Sequence, residues 1–326
     1  MIIEEKKTTP LVSVIIPVFR VEQYIERCAR SLFEQTLESM EYLFIDDCTP
    51  DRSIEILKRV LEEYPHRKNQ VLIHRMDYNS GQAAVRKWGI LNAKGTFVIH
   101  CDSDDWVEKD MYKLMYEKAL KEKSDVVICD YLETNVDGVN RYFKACHSTF
   151  KDTFMVYMLC QKDPWALWNK MFHKSVFYDL VFPEYNMAED MALCIQLILR
   201  SVKISYIPQP LYYYFKHNSS ITKLATIDNI IANYNAQRSN ADIVFKEIAK
   251  STNPKIHKGA LSIQLSVISV LFPLVHIKEY RNICFNTYPN LFWKIIFHHQ
   301  IEIKNKILYV LAKLGMYPYR LGGYFS

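Results

Sequence analysis

Val12-Ser13-Val14-Ile15-Ile16-Pro17-Val18 is an almost unbroken apolar run of strand length. A strand with one wet face alternates apolar and polar residues, so a continuous run fits a strand covered on both faces, as in a parallel sheet between helices. Tyr42–Asp46, Val71–Arg75, Phe97–Cys101 and Val126–Asp130 read the same way. Helical stretches lie between and after them, around Glu22–Gln35, Ser53–Tyr64, Gln82–Ala93 and Lys109–Lys121, with Lys94-Gly95 closing the third. This βαβ rhythm predicts an α/β fold with a mostly parallel, Rossmann-like central sheet flanked by helices.

The rhythm weakens between Tyr131 and Tyr206, where Pro164-Trp165 and Trp168-Asn169-Lys170 precede a helical pattern over Met191–Val202. Tyr206-Ile207-Pro208-Gln209-Pro210 closes that stretch with proline punctuation ahead of the aromatic run Leu211 to Phe215. From Ile227 the pattern is long and helical. The expected division is therefore an α/β domain over residues 1–225 and a helical C-terminal region over 226–326.

A chain of 326 residues with 49% hydrophobic and 24% charged residues can bury a core, which excludes a disordered or fibrous protein. With only eight glycines and neither G-x-G-x-x-G nor G-x-x-x-x-G-K-[ST], it lacks the phosphate cradle of a dinucleotide oxidoreductase or a P-loop NTPase. The eight cysteines form no C-x-x-C pair and lie mostly in apolar runs, so they read as buried thiols. Met1 to Pro10 carries no hydrophobic signal segment, and a reducing cytoplasmic setting is expected.

In an open α/β sheet, ligands bind outside the carboxyl ends of the strands. The second run ends in Asp46-Asp47, followed by Cys48-Thr49-Pro50-Asp51, and the fourth ends in Asp102-Ser103-Asp104-Asp105. Carboxylates ~4 Å apart repel by about 4 kcal/mol at an effective dielectric of about 20, so such a cluster needs a cation, a proton or hydrogen-bond donors. Oxygen ligands suit Mg2+ or Mn2+ held together with substrate phosphates, which implies a nucleotide ligand. Asp46 and Asp47 also suit a turn and a helix cap. Three carboxylates within Asp102–Asp105 exceed what capping one helix requires.

These motifs together resemble family 2 of the inverting glycosyltransferases, which have the GT-A fold. The family opening V-S-V-I-I-P-V-Y-N stands here as Val12 to Arg20, with Tyr24, Cys28, Ser31 and Gln35 at the family spacing. The turn D-D-G-S-x-D-x-S stands as Asp46 to Ser53, and N-x-G-x-x-x-A-R-N-x-G-I as Asn79 to Ile90. Asp102 to Asp105, Trp168-Asn169-Lys170, Glu189-Asp190 and Ile207 to Tyr214 complete the likeness.

The resemblance implies roles. Asp47 would pair with the nucleotide base, usually uracil, in a pocket lined by Pro17 and Phe19. Arg86 would close the nucleotide site, with Ser103 also on the nucleotide-sugar. Asp102 would reach the ribose or support the metal, and Asp104 would ligate Mn2+ or Mg2+ on the diphosphate. Asp190 would be the catalytic base, with Glu189 beside it. Trp168 and Lys170 are weaker candidates, as is His217, which would contact diphosphate or metal. The donor would be a UDP-sugar and the acceptor a glycan or lipid-linked glycan of a surface polysaccharide. Three departures stand out: Arg20 for the usual Asn, Cys48 for Gly, and Val85-Arg86-Lys87 for Ala-Arg-Asn. Two alternatives are a sugar nucleotidyltransferase, whose Gly-rich triphosphate loop is missing from Val12–Arg20, and a non-catalytic nucleotide-sugar-binding scaffold on the same fold.

Charge is uneven along the chain. Of a net +5, the residues from Lys246 onward carry 11 Lys/Arg against 3 Asp/Glu, leaving −3 for the rest. Such an excess points to an anionic partner, membrane lipid or nucleic acid. Ile303, Ile307, Val310 and Leu314 fall on one helical face flanked by Lys304 and Lys306, preceded by Phe292, Trp293 and Phe297. That pattern fits a helix lying on an anionic membrane surface at its cytoplasmic side, or one packed on its own domain or on a homodimer partner, rather than nucleic acid. Gly259–Ile277 is interrupted by Gln264, serines and Pro273 and is not expected to span a membrane.

Overall fold

A computed structural model describes residues 9–216, 226–299 and 301–317. His217 lies outside the described residues. The chain divides into two compact units, Met1–Lys151 with Ala166–Phe182 and Arg200–Lys216, and Asp152–Trp165 with Pro183–Leu199 and His217–Ser326.

The first unit is built on one sheet of nine strands. Its leading half alternates β1 (Val12–Val18), α1 (Ile25–Phe33), β2 (Met40–Asp46), α2 (Ser53–Glu62), β3 (Val71–Arg75), α3 (Gln82–Asn92) and β4 (Phe97–His100). Strands β3, β2, β1 and β4 lie side by side, all parallel, as the continuous apolar runs predict. Every residue of β2 is buried, and β1 exposes only part of Pro17.

The trailing half comprises β5 (Trp106–Val107), α4 (Met111–Glu122), β6 (Val126–Asn135), β7 (Asn140–Phe143), β8 (Lys170–His173) and β9 (Ile204–Lys216). Here the sheet becomes mixed. The run starting at Val126 does not lie beside β4; the four-residue β8 sits between them, antiparallel to both. A strand that short and carrying a lysine leaves no period-2 signature to read. Pro208 and Pro210 do not end the pattern either, because β9 runs through them alongside β6. The register shifts there, with Cys129 opposite Ile207 and Asp130 opposite Pro210, and such an irregularity takes up residues that cannot donate to a ladder.

The base of the parallel half is cross-linked by polar groups. Ser13 Oγ donates to Glu41 Oε2 at 2.5 Å and accepts the Gly95 N–H at 2.7 Å, while the Lys94 N–H reaches the same Glu41 oxygen at 2.8 Å. A Cβ on Gly95 would stand 2.5 Å from the Ser13 backbone nitrogen, so no side chain fits. Gly95→Ala is expected to cost roughly 1–3 kcal/mol, as overpacking of a tight core does, read as a lowered urea midpoint with an unchanged slope.

The second unit is helical: α5 (Lys151–Leu159), α6 (Glu189–Arg200), α7 (Ile227–Ile248), α8 (Pro254–Ser269), α9 (Lys278–Thr287), α10 (Leu291–Ile296) and α11 (Ile303–Lys313). Thr226 and Asn253 cap α7 and α8 by accepting backbone N–H groups through their side chains. The Asn240 amide on α7 donates to the carbonyls of Tyr185 and Met187, both at 2.9 Å, and so pins the segment leading into α6. The apolar stretch from Gly259 is broken after Ser269, where Phe272–Leu274 forms a short turn around Pro273. Among the described residues no helix is long and apolar enough to cross a membrane. None of the eight cysteines is in a disulfide, and six of them are buried, as their apolar surroundings in the sequence predict.

Candidate active site

The carboxyl ends of β1, β2 and β4 are neighbours in the sheet, and the acidic motifs follow directly from them. Each carboxylate has a different fate. Asp46, almost fully buried, makes the turn: its Oδ1 accepts the Thr49 N–H and its Oδ2 pairs with Arg75, both at 2.7 Å. Asp51 ties this turn to the segment after β1, accepting from the Glu22 N–H and from the Thr49 and Ser53 hydroxyls. Its carboxyl lies below the ordinary range because these donors outweigh the opposing effect of burial.

Asp47 points toward α3 instead. Its two oxygens accept the N–H groups of Ser80 and Gly81, at 2.6 and 2.8 Å, just before that helix begins. Gly81 sits at φ +81, a backbone region glycine enters without strain. Each carboxylate oxygen keeps the capacity to accept a second donor. One turn into α3, the buried Arg86 donates to Asp102 Oδ1 at 2.9 Å. The start of α3 therefore fastens the end of β2 to the end of β4.

Asp102–Asp105 also separates. Asp105 is fully buried, with the Tyr212 hydroxyl on Oδ2 at 2.6 Å and the Phe215 N–H on Oδ1 at 2.7 Å. Burial pushes its pKa well up, and the charges of Asp104 and Asp102 push it further. It joins the acidic loop to β9 and presents nothing outward. Ser103 is buried, whereas Asp102 and Asp104 stay half-buried. Among the described residues no three His, Cys, Asp or Glu side chains form a ready cage for a metal. Two nearby carboxylates nevertheless fit a hard divalent cation that keeps waters and takes further oxygens from a phosphate.

The motif residues of α1, with Gln35 just past its end, serve this loop. Cys28 Sγ lies 3.8 Å from the Asp102 carbonyl, Ser31 Oγ accepts the Val107 N–H, and Gln35 bonds both the Glu108 carbonyl and the Tyr112 N–H. Arg27 on the same helix does not stand out among the sequence motifs. Its guanidinium lies 3.6 Å from the Trp106 ring centroid and 4.4 Å from that of Phe215, and it donates to the Asp104 carbonyl. The signal that could have found it is spacing, since residues 24, 27, 28, 31 and 35 share one helical face. His100, the last residue of β4, is equally inconspicuous in the sequence. It is buried with neither ring nitrogen hydrogen-bonded, and burial followed by the nearby Arg86 charge drives its pKa well below 6.5, leaving a neutral imidazole.

Pro17 and Phe19 are both partly exposed at the end of β1, with the Arg20 guanidinium 5.3 Å from the Phe19 ring centroid. Arg20 and Cys48 adopt left-handed backbone, φ 54 and 56, at two of the positions that depart from the family pattern. Asn and Gly tolerate that conformation better, so the departures carry strain.

Trp168 and Lys170 lie inside the first unit. The Trp168 ring stacks on Tyr212 at 4.3 Å and meets Tyr131 edge-on at 4.8 Å. Lys170 is fully buried, its Nζ bonded to the Ala166 carbonyl and Asn169 Oδ1. Both support the turn before β8.

In the second unit, α6 opens on Glu189 and Asp190 after Ala188, which sits at φ 61. Glu189 is buried; Asp190 is half-exposed, with its Oδ1 accepting the Met191 N–H at 2.7 Å.

A parallel half-sheet continued by a mixed half, with acidic loops at its carboxyl edge and a helical C-terminal region, is an architecture of the GT-A type. The chain belongs to glycosyl transferase family 2, whose model matches residues 13–180. It is 31% identical over 224 residues to EpsH of Bacillus subtilis, covering 66% of this chain and 63% of EpsH. It is 27% identical over 237 residues to the glycosyltransferase GlyA of Streptococcus pneumoniae, covering 69% of this chain and 33% of GlyA. The crystal structure of Staphylococcus aureus TarS residues 1–349 with UDP-GlcNAc superposes with a TM-score of 0.66 at 19% identity, over 94% of this chain and 88% of that one.

Proposed function

We propose that this chain transfers a sugar, with inversion, from a UDP-sugar to a hydroxyl of a polysaccharide or glycolipid precursor. The observation that carries this reading is the fastening of Asp47 and Asp102 by the start of α3 at the carboxyl edge of the parallel half-sheet. A neighbour of similar fold, TarS, has been crystallised with UDP and with UDP-GlcNAc, which supports uracil and a diphosphate as the donor's recognised parts.

In this reading Asp47, held with both oxygens directed by backbone N–H groups, accepts from the base, and Pro17 and Phe19 flank it. Arg86 holds Asp102 in place at the ribose, with Ser103 in the same loop. Asp104, with Asp102, would hold Mn2+ or Mg2+. Such a cation, when bound, neutralises charge on the departing diphosphate. Asp190 takes the proton of the acceptor hydroxyl, which an inverting displacement requires of one base. Trp168 and Lys170 act through packing: they brace β8 and β9, and β9 in turn fixes Asp105.

The test is a thermal-shift panel of nucleotides and nucleotide sugars with and without Mn2+. UDP at about 100 times its Kd stabilises by about 2.7 kcal/mol, a rise of roughly 4 °C in a chain of this size. ADP and GDP are expected to shift the midpoint far less. Equal shifts for all three, or none for UDP, would overturn the uridine reading.

A further inference from the structure

We infer that the face presented by α10 and α11 seats on an anionic lipid surface. An amphipathic helix of a water-soluble protein normally turns its apolar stripe to the core. On α11 the stripe is turned the other way. Tyr309 and Ala312 are buried, while Ile303, Ile307 and Leu314 are 74%, 54% and 62% exposed. At about 100° per residue those three fall within roughly 40° of one another, forming one line along the helix.

The neighbouring α10 does the same. It buries Leu291 and Ile295 and leaves Trp293 and, just past its end, Phe297 exposed, with their rings stacked 5.8 Å apart. Phe292 links the two helices, its ring 6.1 Å from that of Tyr309, with the Lys313 ammonium 4.5 Å over it.

Charge selects the occupant. From Leu291 to Tyr317 the chain has four lysines, Lys294, Lys304, Lys306 and Lys313, against the single acid Glu302. Two copies meeting by a twofold axis on this face would set those lysines against each other. Phosphate headgroups complement them, while exposed aromatic rings and branched aliphatics enter the boundary between headgroups and acyl chains.

The experiment is co-sedimentation of the full chain with phosphatidylcholine vesicles and with vesicles containing phosphatidylglycerol, at low and physiological salt. Pelleting is expected with the anionic vesicles and is expected to weaken as salt rises. Replacing Lys304, Lys306 and Lys313 by Gln is expected to weaken binding on the order of 100-fold, about fivefold per lysine. A second variant, Trp293→Ser with Ile303→Ser and Ile307→Ser, keeps every lysine and is expected to lose at least about tenfold through the missing apolar contact. Equal pelleting on neutral and anionic vesicles, or binding undiminished in both variants, would overturn the inference. So would a concentration-dependent dimer that the serine variant dissolves, which would assign the face to a second copy.

Discussion

Asp190→Asn is expected to lower turnover by about 10²–10⁴-fold, the contribution of a positioned general base, with donor affinity nearly unchanged. The substitution is well suited to separating chemistry from folding. Asp190 uses one oxygen to accept the Met191 N–H at the start of α6, and the Asn carbonyl can accept that same bond. What the amide cannot do is take the acceptor's proton. Single-turnover sugar transfer measured beside a UDP titration gives both quantities. If more than about a tenth of wild-type turnover survives, the base lies elsewhere, and the buried Glu189 next to it is the carboxylate to replace.

Asp104→Asn is expected to fail differently, by weakening metal-dependent UDP binding and turnover together. Losing even an outer-shell partner of a metal ligand costs about 10–100-fold in metal affinity, and removal of a direct charged oxygen should cost no less. The loop itself should survive. Asp104 is held through its backbone carbonyl by Arg27, and the fully buried Asp105 anchors the segment to Tyr212 and Phe215. Calorimetric titration of UDP with and without Mn2+ reads the effect directly. An Asp104→Asn protein whose UDP affinity still rises with Mn2+ as in the wild type would show that the cation is held by other groups. The contrast between the two variants, one lost in the chemical step and one in binding, distinguishes the two acidic motifs by kinetics alone.

Much of this fold is legible in local patterns. The continuous apolar runs place β1, β2 and β4 within two residues of their observed bounds, because a strand buried on both faces must be apolar throughout; β3 also falls at its expected bounds, but as the edge strand with none of its residues buried. Since ligands gather at the carboxyl edge of such a sheet, the same runs locate the acidic clusters at that edge. The spacing of residues 303, 307 and 314 likewise marks one face of α11 by periodicity alone.

What each of those residues does there is decided largely by residues far away in the chain. Asp46 and Asp47 are adjacent and chemically identical, yet one is tied to Thr49 and Arg75 and the other is oriented by the Ser80 and Gly81 N–H groups just before α3. Asp105 stands in the same acidic cluster as Asp102 and Asp104, yet Tyr212 and Phe215, more than a hundred residues onward, take both its oxygens. The insertion of β8 between β4 and β6, and the outward turn of the α11 stripe, are of the same kind. Periodicity is a property of neighbouring residues and can be read from them. A carboxylate's burial, and the side of a helix that meets water, depend on which distant groups arrive to pack or hydrogen-bond there, and only the folded chain brings those groups together.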